Sequence, residues 1–296
     1  AEGIGMGWVS IFDPNAFVAT EPYTVALNLG PVNKTFNNSA SLVMNFDFDN
    51  FSIVSATGTQ YNKLKALADS DATPLRASEL YVAQASRSYS QEVYATSTGE
   101  RKFDWIVGAS YFNDNANSNP SLYASGSFAL SRTPPSTTLT SSFTSGATVM
   151  TTSSWAAYAQ GTYHFTDAVS LTVGGRYTSD ERGFTSTSLT PVLRPTTTGG
   201  ETFTKFTPSA NLAWRVNDQL NLYAKAGQGF KSGLFTVVNN VVRPVDPETV
   251  TQYELGFKSD PLPWLGVNGG VYYTDYQDLQ TTARDAGTGG AFLQDA

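Results

Sequence analysis

The sequence predicts an all-β fold, an antiparallel transmembrane β-barrel with up-and-down meander topology. Three observations lead to this prediction. Apolar and polar residues alternate along long segments, short turns alternate with long polar connections, and aromatic residues gather near segment ends. Side chains in a strand point alternately to opposite faces, so each segment would form a strand with one apolar and one polar face. Membrane-spanning barrels combine these features.

The clearest hairpin lies between Trp155 and Tyr177. Odd-numbered positions are mostly apolar on both arms, and the even-numbered positions between them are mostly polar. A short turn near Asp167 separates the two arms. The same construction recurs at 206–226 and at 248–273. We therefore expect consecutive strands of about nine to eleven residues, the length that a tilted strand needs to cross a bilayer.

The connections between these strands differ in length. Short turns are predicted near 49–50, 99–100, 166–167, 217–218 and 260–261. Long polar connections are predicted at 178–201 and 229–247, with further Ser-, Thr- and Asn-rich loops at 113–121, 131–154 and 189–201. Short periplasmic turns opposite long external loops are typical of an outer-membrane barrel. A soluble β-sandwich also alternates, so alternation alone leaves that alternative open.

Composition excludes several classes of protein. The chain has no Cys, a net charge of -7 and 15% charged residues. Disulfides and thiol metal sites are therefore excluded, and the acidic balance argues against a nucleic-acid partner. No apolar run approaches the roughly eighteen residues of a membrane helix, so a membrane location would require a barrel.

The sequence offers little support for catalysis. It has no Cys nucleophile and no Gly-x-Ser-x-Gly motif, and its single histidine, His164, has no evident acidic partner. A solitary histidine is also a poor metal site. We therefore expect no enzyme activity, no cofactor and no metal site.

Several aromatic residues near the predicted turns indicate an interfacial belt facing lipid. Lining of a sugar site is the alternative role for the same side chains. The residues concerned are Tyr163, Phe165, Trp214, Trp264 and Tyr273.

Two ordered motifs carry a resemblance to a known family. The run from Tyr223 to Gly233, "YAKAGQGFKSG", and the element from Pro247 to Lys258, "PETVTQYELGFK", resemble barrel segments of TonB-dependent outer-membrane receptors. The segment "VYYTDYQDLQ", at 271–280, matches the strand that follows them in the family. The resemblance covers about 45–280 and is strongest after Trp155.

The resemblance implies a barrel of about 22 strands around an N-terminal plug domain. It also implies active import of a scarce ligand, driven by the inner-membrane energy-coupling complex. The sequence itself accounts for about eleven or twelve strands and contains no plug or coupling box. We therefore expect 1–296 to be a partial barrel domain, about half of the full barrel, and both chain ends also suggest an incomplete protein.

The implied location is the outer membrane of a Gram-negative bacterium. The expected partners are outer-membrane lipid, an extracellular ligand, and the energy-coupling complex, which would act through a missing N-terminal part. Candidate ligands are a ferric siderophore, vitamin B12 or an oligosaccharide. A passive porin-type channel and a soluble or surface β-sandwich adhesin remain the alternatives.

Five charged residues fall on the predicted lumen face, where they could contact the ligand or the plug. A hydrated lumen wall with cross-strand charge pairs is the alternative interpretation. The five residues are Arg176, Arg215, Lys225, Glu254 and Lys258. Arg176 and Glu254 are the leading candidates for contact with the plug.

Overall fold

The computed structural model describes residues 23–27, 30–69, 78–127, 140–190, 196–238, 241–284 and 291–295. No helix long and apolar enough to span a membrane occurs among them. The fourteen strands are β1 (Val32–Asp47), β2 (Phe51–Asp69), β3 (Ser78–Ser97), β4 (Phe103–Ser127), β5 (Thr140–His164), β6 (Val169–Thr190), β7 (Thr197–Asn217), β8 (Leu220–Lys231), β9 (Leu234–Val238), β10 (Val241–Val245), β11 (Glu248–Leu262), β12 (Leu265–Gln277), β13 (Gln280–Arg284) and β14 (Ala291–Asp295).

Ten strands form one antiparallel sheet in the order β1-β2-β3-β4-β5-β6-β7-β8-β11-β12. Strands β9 and β10 form a separate hairpin, and β13 pairs with β14. Every neighbour in the large sheet is antiparallel, and the order departs from the chain order only where the β9–β10 hairpin is inserted. The predicted all-β antiparallel meander is therefore confirmed.

The strands are longer than the sequence pattern predicts. Strands β4 and β5 each contain 25 residues. At about 3.3 Å per residue such a strand extends for about 80 Å, well beyond a hydrocarbon layer of about 30 Å. The loop predicted at 113–121 lies inside β4, and 178–190 continues β6. These polar stretches stay extended because their backbones pair with neighbouring strands, which requires no apolar alternation.

Four predicted short turns are confirmed, at 48–50, 98–102, 165–168 and 218–219. The fifth turn lies at 263–264, three residues later than predicted, because β11 continues to Leu262 through an irregularity in its pairing with β12. We call this side of the sheet the short-turn end and the opposite side the long-loop end. Residues 131–139, 191–195 and 239–240 of the predicted loops lie outside the described residues.

The large sheet has one apolar and one polar face, as the alternation predicts. Large side chains of the apolar face are exposed, with Val173 at 53%, Leu255 at 59% and Val271 at 70%. A β-sandwich would cover this face with a second sheet packed about 10 Å away. The described residues contain no such covering sheet. The sandwich alternative therefore lacks the buried core that it requires.

The β9–β10 hairpin packs against the long-loop end. Val245 is 2% exposed and Phe203 of β7 is 6% exposed. The rings of Phe184 and Phe235 lie 6.2 Å apart. The backbone joining this hairpin to the sheet is fixed by Gln280, whose side-chain amide donates to the carbonyl of Ser232 at 3.1 Å and to that of Asp246 at 2.9 Å. The hairpin is therefore held on the rim by apolar contacts and hydrogen bonds.

Candidate functional site on the polar face

All five charged residues singled out in the sequence have positions on the polar face of the large sheet. They are distributed over β6, β7, β8 and β11. Their strand registers decide which of them are neighbours, because residues directly opposite one another on paired strands lie about 4.5–5.5 Å apart.

Arg176 on β6 is held by hydroxyl groups. Its Nη2 donates to Ser110 Oγ at 3.0 Å, and its Nε donates to Thr178 Oγ1 at 3.2 Å. Its guanidinium also lies 5.6 Å from the ring centroid of Tyr158, the residue directly opposite on β5. No acidic side chain of the described residues forms an ion pair with Arg176. The group is thus a positioned cation with unused hydrogen-bonding capacity.

Tyr158 on β5 contacts both this cation and a carboxylate on β3, two strands from β5. Its ring lies over Gly108 on β4, where an added Cβ would come within 2.5 Å of ring atoms. Its hydroxyl donates to Glu92 Oε1 on β3 at 2.9 Å. Glycine at 108 is therefore required sterically, since any larger residue would displace the ring from its path to Glu92.

Glu254 on β11 belongs to a second cluster. It accepts a hydrogen bond from the hydroxyl of Tyr223 on β8 at 2.6 Å. The Tyr223 ring lies over Gly256, where an added Cβ would collide with it. The same arrangement therefore occurs at two separate places on the polar face: a tyrosine ring lies over a glycine, and its hydroxyl donates to a glutamate.

The structure does not bring Arg176 and Glu254 together. On successive strands, the cross-strand partners that lead from Glu254 towards β6 are Lys225 and Asn211. The partner of Asn211 on β6 is Thr172, four residues before Arg176. Three strand spacings of about 4.8 Å separate β6 from β11 along the sheet. The two leading candidates therefore mark two sites rather than one.

Lys225 and Glu254 are direct cross-strand partners. They are nevertheless not an ion pair, and the carboxylate accepts from Tyr223 instead. Arg215 lies at the short-turn end, where its Nη2 donates to the carbonyl of Asp167 at 2.8 Å. Lys258 is exposed on β11, opposite Asn221 and Asn268. Arg215 is thus tied to a turn, whereas Lys225 and Lys258 project from the sheet.

His164 does have an acidic partner, contrary to the expectation from sequence. Its Nε2 lies 2.8 Å from Oδ2 of Asp104 on β4. The two residues are far apart in sequence, but the register pairs Asp104 with Thr162, so the carboxylate lies diagonally across from the histidine. Side-chain exposures of 39% and 44% make this a solvated pair at the short-turn end.

Sequence reasoning missed Glu92, Tyr158 and Tyr223 as parts of these clusters. The available signal was a tyrosine at a polar-face position in a strand next to one bearing a glycine. Register is needed to pair that tyrosine with its glycine, and register between strands cannot be obtained from periodicity alone.

The predicted aromatic belt residues are exposed, from 44% for Tyr163 to 78% for Trp264. Tyr163 and Phe165 pack edge to face at 5.0 Å beside the 165–168 turn. Tyr273 lies in mid-strand opposite Tyr253 rather than near a turn, because β12 begins at Leu265. Tyr273 therefore does not lie near a turn, contrary to the prediction.

A second aromatic pair lies farther along β5. The rings of Trp155 and Tyr177 are 5.5 Å apart. Trp155 and Tyr163 are separated along β5 by about 26 Å at about 3.3 Å per residue, or about 20 Å along the normal for a strand tilted by about 40°. That spacing is close to the roughly 25 Å apolar band between the aromatic girdles of membrane barrels.

No group of three or more potential metal ligands occurs among the described side chains.

Solved structures with the same fold include uptake receptors and a transporter. The ferric yersiniabactin uptake receptor FyuA from Yersinia pestis aligns with a TM-score of 0.74 at 19% identity, over 90% of this chain and 38% of that one. The copper transporter OprC gives 0.63 at 13% identity, over 89% and 42%. The ferric-catecholate import receptor Fiu from E. coli K12, in its closed form, gives 0.58 at 15% identity, over 88% and 43%.

At these identities the solved structures establish the fold alone. The chain spans about two fifths of their length. No curated protein matches the sequence significantly. A family model described as "TonB dependent receptor-like, beta-barrel" matches residues 4–294, nearly the whole chain. The chain therefore belongs to the TonB-dependent receptor family, through its β-barrel domain.

Proposed function

We propose that this chain is part of an outer-membrane receptor that actively imports a scarce extracellular ligand, driven by the inner-membrane energy-coupling complex. The observation that carries the proposal is the ten-stranded meander with one exposed apolar face and one polar face, within a chain matched by the family over residues 4–294. In lipid, such a sheet can satisfy its edge hydrogen bonds only as part of a closed barrel.

We propose further that residues 1–296 form a partial barrel domain, with the plug domain and final strands supplied elsewhere in the protein. The support is the coverage of 38–43% of three solved relatives. In the whole receptor the plug would fill the lumen beside the polar face, in the outer membrane of a Gram-negative bacterium. The energy-coupling complex would act through the N-terminal part.

Arg176 and Glu254 are our leading candidates for contact with the plug or the ligand. Arg176 is oriented by two hydroxyl groups and lacks an acidic partner among the described residues, so it can pair with an anionic group. Glu254 retains a second carboxylate oxygen after accepting from Tyr223. Lys225 and Lys258 are exposed additional candidates, and Arg215 has the weakest claim because it already binds a turn carbonyl.

The ligand is a ferric siderophore, vitamin B12 or an oligosaccharide in this proposal. The names of two solved relatives, receptors for ferric yersiniabactin and ferric catecholates, support a metal chelate. The exposed, uncharged hydrogen-bonding residues of the polar face support an oligosaccharide equally well.

The test is uptake by the full-length receptor in outer membranes, with and without the energy-coupling complex. Radiolabelled ferric siderophores, cyanocobalamin and fluorescent maltodextrins would be the probes. We expect one probe to accumulate only when the complex is present. Equal entry without the complex would instead establish a passive porin-type channel. The 296-residue chain alone is expected to restore no uptake.

The proposed contact residues are tested by Glu254→Gln and Arg176→Gln in the same uptake assay. Each change removes a charge; Glu254→Gln keeps the side-chain length, and Arg176→Gln shortens the side chain by two atoms. Glu100→Gln is the matched control, since it makes the same change at an exposed residue of the 98–102 turn, outside the candidate contacts. A loss of energy-dependent uptake in the first two variants but not in the control would support plug or ligand contact. Equal uptake in all three would contradict it.

A further inference from the structure

A concave region lies on the polar face, in the half of β1–β5 nearer the long-loop end. It has a volume of about 240 Å³. Two adjacent rows of cross-strand partners form it. One row runs from Asn37 through Asn62 and Ser86 to Met150. The other runs from Thr35 through Leu64 and Gln84 to Thr148. None of the charged residues discussed above lies in either row.

The lining combines uncharged polar groups with an apolar floor. Asn62, Gln84 and Ser86 supply amide and hydroxyl groups, while Leu64 and Met150 supply hydrocarbon surface. Amides and hydroxyls can both donate and accept hydrogen bonds. This combination suits a ligand that presents hydroxyl or amide groups beside C–H surface.

Several of the polar groups are available to a ligand. The side-chain amides of Asn37 and Gln84 form no hydrogen bond within the described part of the chain, and both residues are exposed. Asn62 accepts one hydrogen bond, from Gln60 Nε2 at 3.1 Å, which leaves its own amide NH₂ group free to donate. Ser86 donates to Asp114 at 2.7 Å, which leaves its oxygen able to accept a hydrogen bond from a ligand.

The Asp114 carboxylate that binds Ser86 lies on the same face and would repel an anionic ligand, and no cation of the described lining is directed into the concavity. Lys63 is the charged residue among its described lining, and strand alternation directs the Lys63 side chain to the apolar face. An anionic ligand would therefore lose hydration here without gaining a compensating cation. By contrast, an uncharged polar ligand would exchange water for amide and hydroxyl partners at little cost.

We propose that this concavity is a subsite for an uncharged, hydroxyl- or amide-bearing part of the imported ligand, as presented by a neutral oligosaccharide or a neutral hydroxamate chelate. The inference rests on the proposed function and specifies its ligand class. A volume of 240 Å³ is below the roughly 300–1,000 Å³ of sites that enclose a drug-sized ligand. The concavity would therefore engage one unit of a larger ligand.

The test is equilibrium binding to the purified full-length receptor in detergent, by calorimetry. The probes are maltotriose, a ferric trihydroxamate of zero net charge, and anionic ferric citrate. We expect one of the two uncharged probes to bind more tightly than ferric citrate. Which of them binds shows whether the ligand is an oligosaccharide or a hydroxamate chelate. Gln84→Glu should weaken that binding about tenfold, because the carboxylate cannot donate as the Gln84 amide does and a ligand acceptor is left without its partner.

The matched control is Gln252→Glu, the same chemical change at an exposed polar-face position on β11, away from the concavity. It should alter affinity by less than about twofold. Failure of both uncharged probes to bind, a preference for ferric citrate, or equal effects of the two variants would each overturn the subsite. Energy-dependent uptake of ferric citrate with no binding of the uncharged probes would reject the subsite while leaving active import intact. Uptake that needs no energy-coupling complex would reject active import instead, whatever the effect of Gln84→Glu on binding.

Discussion

The hydroxyl of Tyr158 on β5 reaches across β4 and donates to Glu92 Oε1 on β3 at 2.9 Å. The crossing is possible because the residue beneath the ring is Gly108. On the same face Tyr223 lies over Gly256 and donates to Glu254 at 2.6 Å. Side-chain bonds of this kind add to the backbone pairing and fix the register of the strands that they join.

Replacement of Gly108 by alanine should destabilise the barrel. The new Cβ would lie within 2.5 Å of Tyr158 ring atoms and 2.7 Å of Tyr94 Cβ, and the ring has to shift. Overpacking of this kind costs about 1–3 kcal/mol. The free energy of unfolding of the full-length receptor, followed in urea by heat-modifiable electrophoretic mobility, measures the effect.

Gly227→Ala is the matched control for that change. Gly227 also occupies the polar face, but an added Cβ there would meet its nearest atom at 3.8 Å, an ordinary contact distance. We expect a change within about 0.5 kcal/mol. Equal destabilisation by both variants would show that strand glycines matter here for reasons other than the Tyr158 crossing.

Removal of the Tyr158 hydroxyl should lower the free energy of unfolding by less than Gly108→Ala does. Tyr158→Phe keeps the ring but leaves Glu92 without its donor, which should lower the free energy of unfolding by about 1 kcal/mol. Tyr163→Phe is the control, since Tyr163 lies on the same strand, on the apolar face, with 44% of its surface exposed. If Tyr158→Phe were neutral in the same urea titration, the hydrogen bond to Glu92 would contribute nothing to stability.

The faces of the large sheet could be predicted from sequence because alternation with period two is a local property. Leu171 and Val173 differ in position from Thr172 by one residue, and that is enough to assign each to a face. Four of the five short turns could be predicted for the same reason, since turn residues interrupt the alternation locally. The strand extensions could not, because Ser- and Thr-rich segments look alike whether they pair with a neighbour or form a loop.

The clusters on the polar face depend on contacts between distant residues. Glu92 and Tyr158 are brought together by the registers of two successive strand pairs, and an error of one residue in either register would separate them. The same dependence explains why the Asp104 partner of His164 was missed. Alternation could assign Arg176 to the polar face, but only the strand registers place Ser110 beside it.

A charge on the apolar face should prevent stable insertion. Leu255→Arg places a guanidinium at a position 59% exposed on the apolar face of β11, which would face lipid in the proposed barrel. Arginine near the bilayer midplane costs about 2–4 kcal/mol in such barrels. The yield of folded full-length receptor in lipid vesicles, measured against urea concentration, reports the cost.

Gln252→Arg provides the comparison on the same strand but on the opposite face, where the side chain would meet water. We expect it to reduce the free energy of folding by less than about 1 kcal/mol. If Gln252→Arg were the more damaging change, the polar face would be the one in contact with lipid, and the barrel would have the opposite orientation.

The β9–β10 hairpin should open locally when its buried valine is shortened. Val245 is 2% exposed, so Val245→Ala removes two methyl groups from a packed site and should weaken the docked state by about 1–3 kcal/mol. Because cleavage of a transiently open segment tracks its open population, chymotrypsin should cut after Phe235 at least about fivefold faster in the full-length receptor. Val241→Ala, in the same strand but with Val241 53% exposed, should leave the rate nearly unchanged. Equal acceleration by both variants would mean that burial of Val245 does not hold the hairpin on the rim.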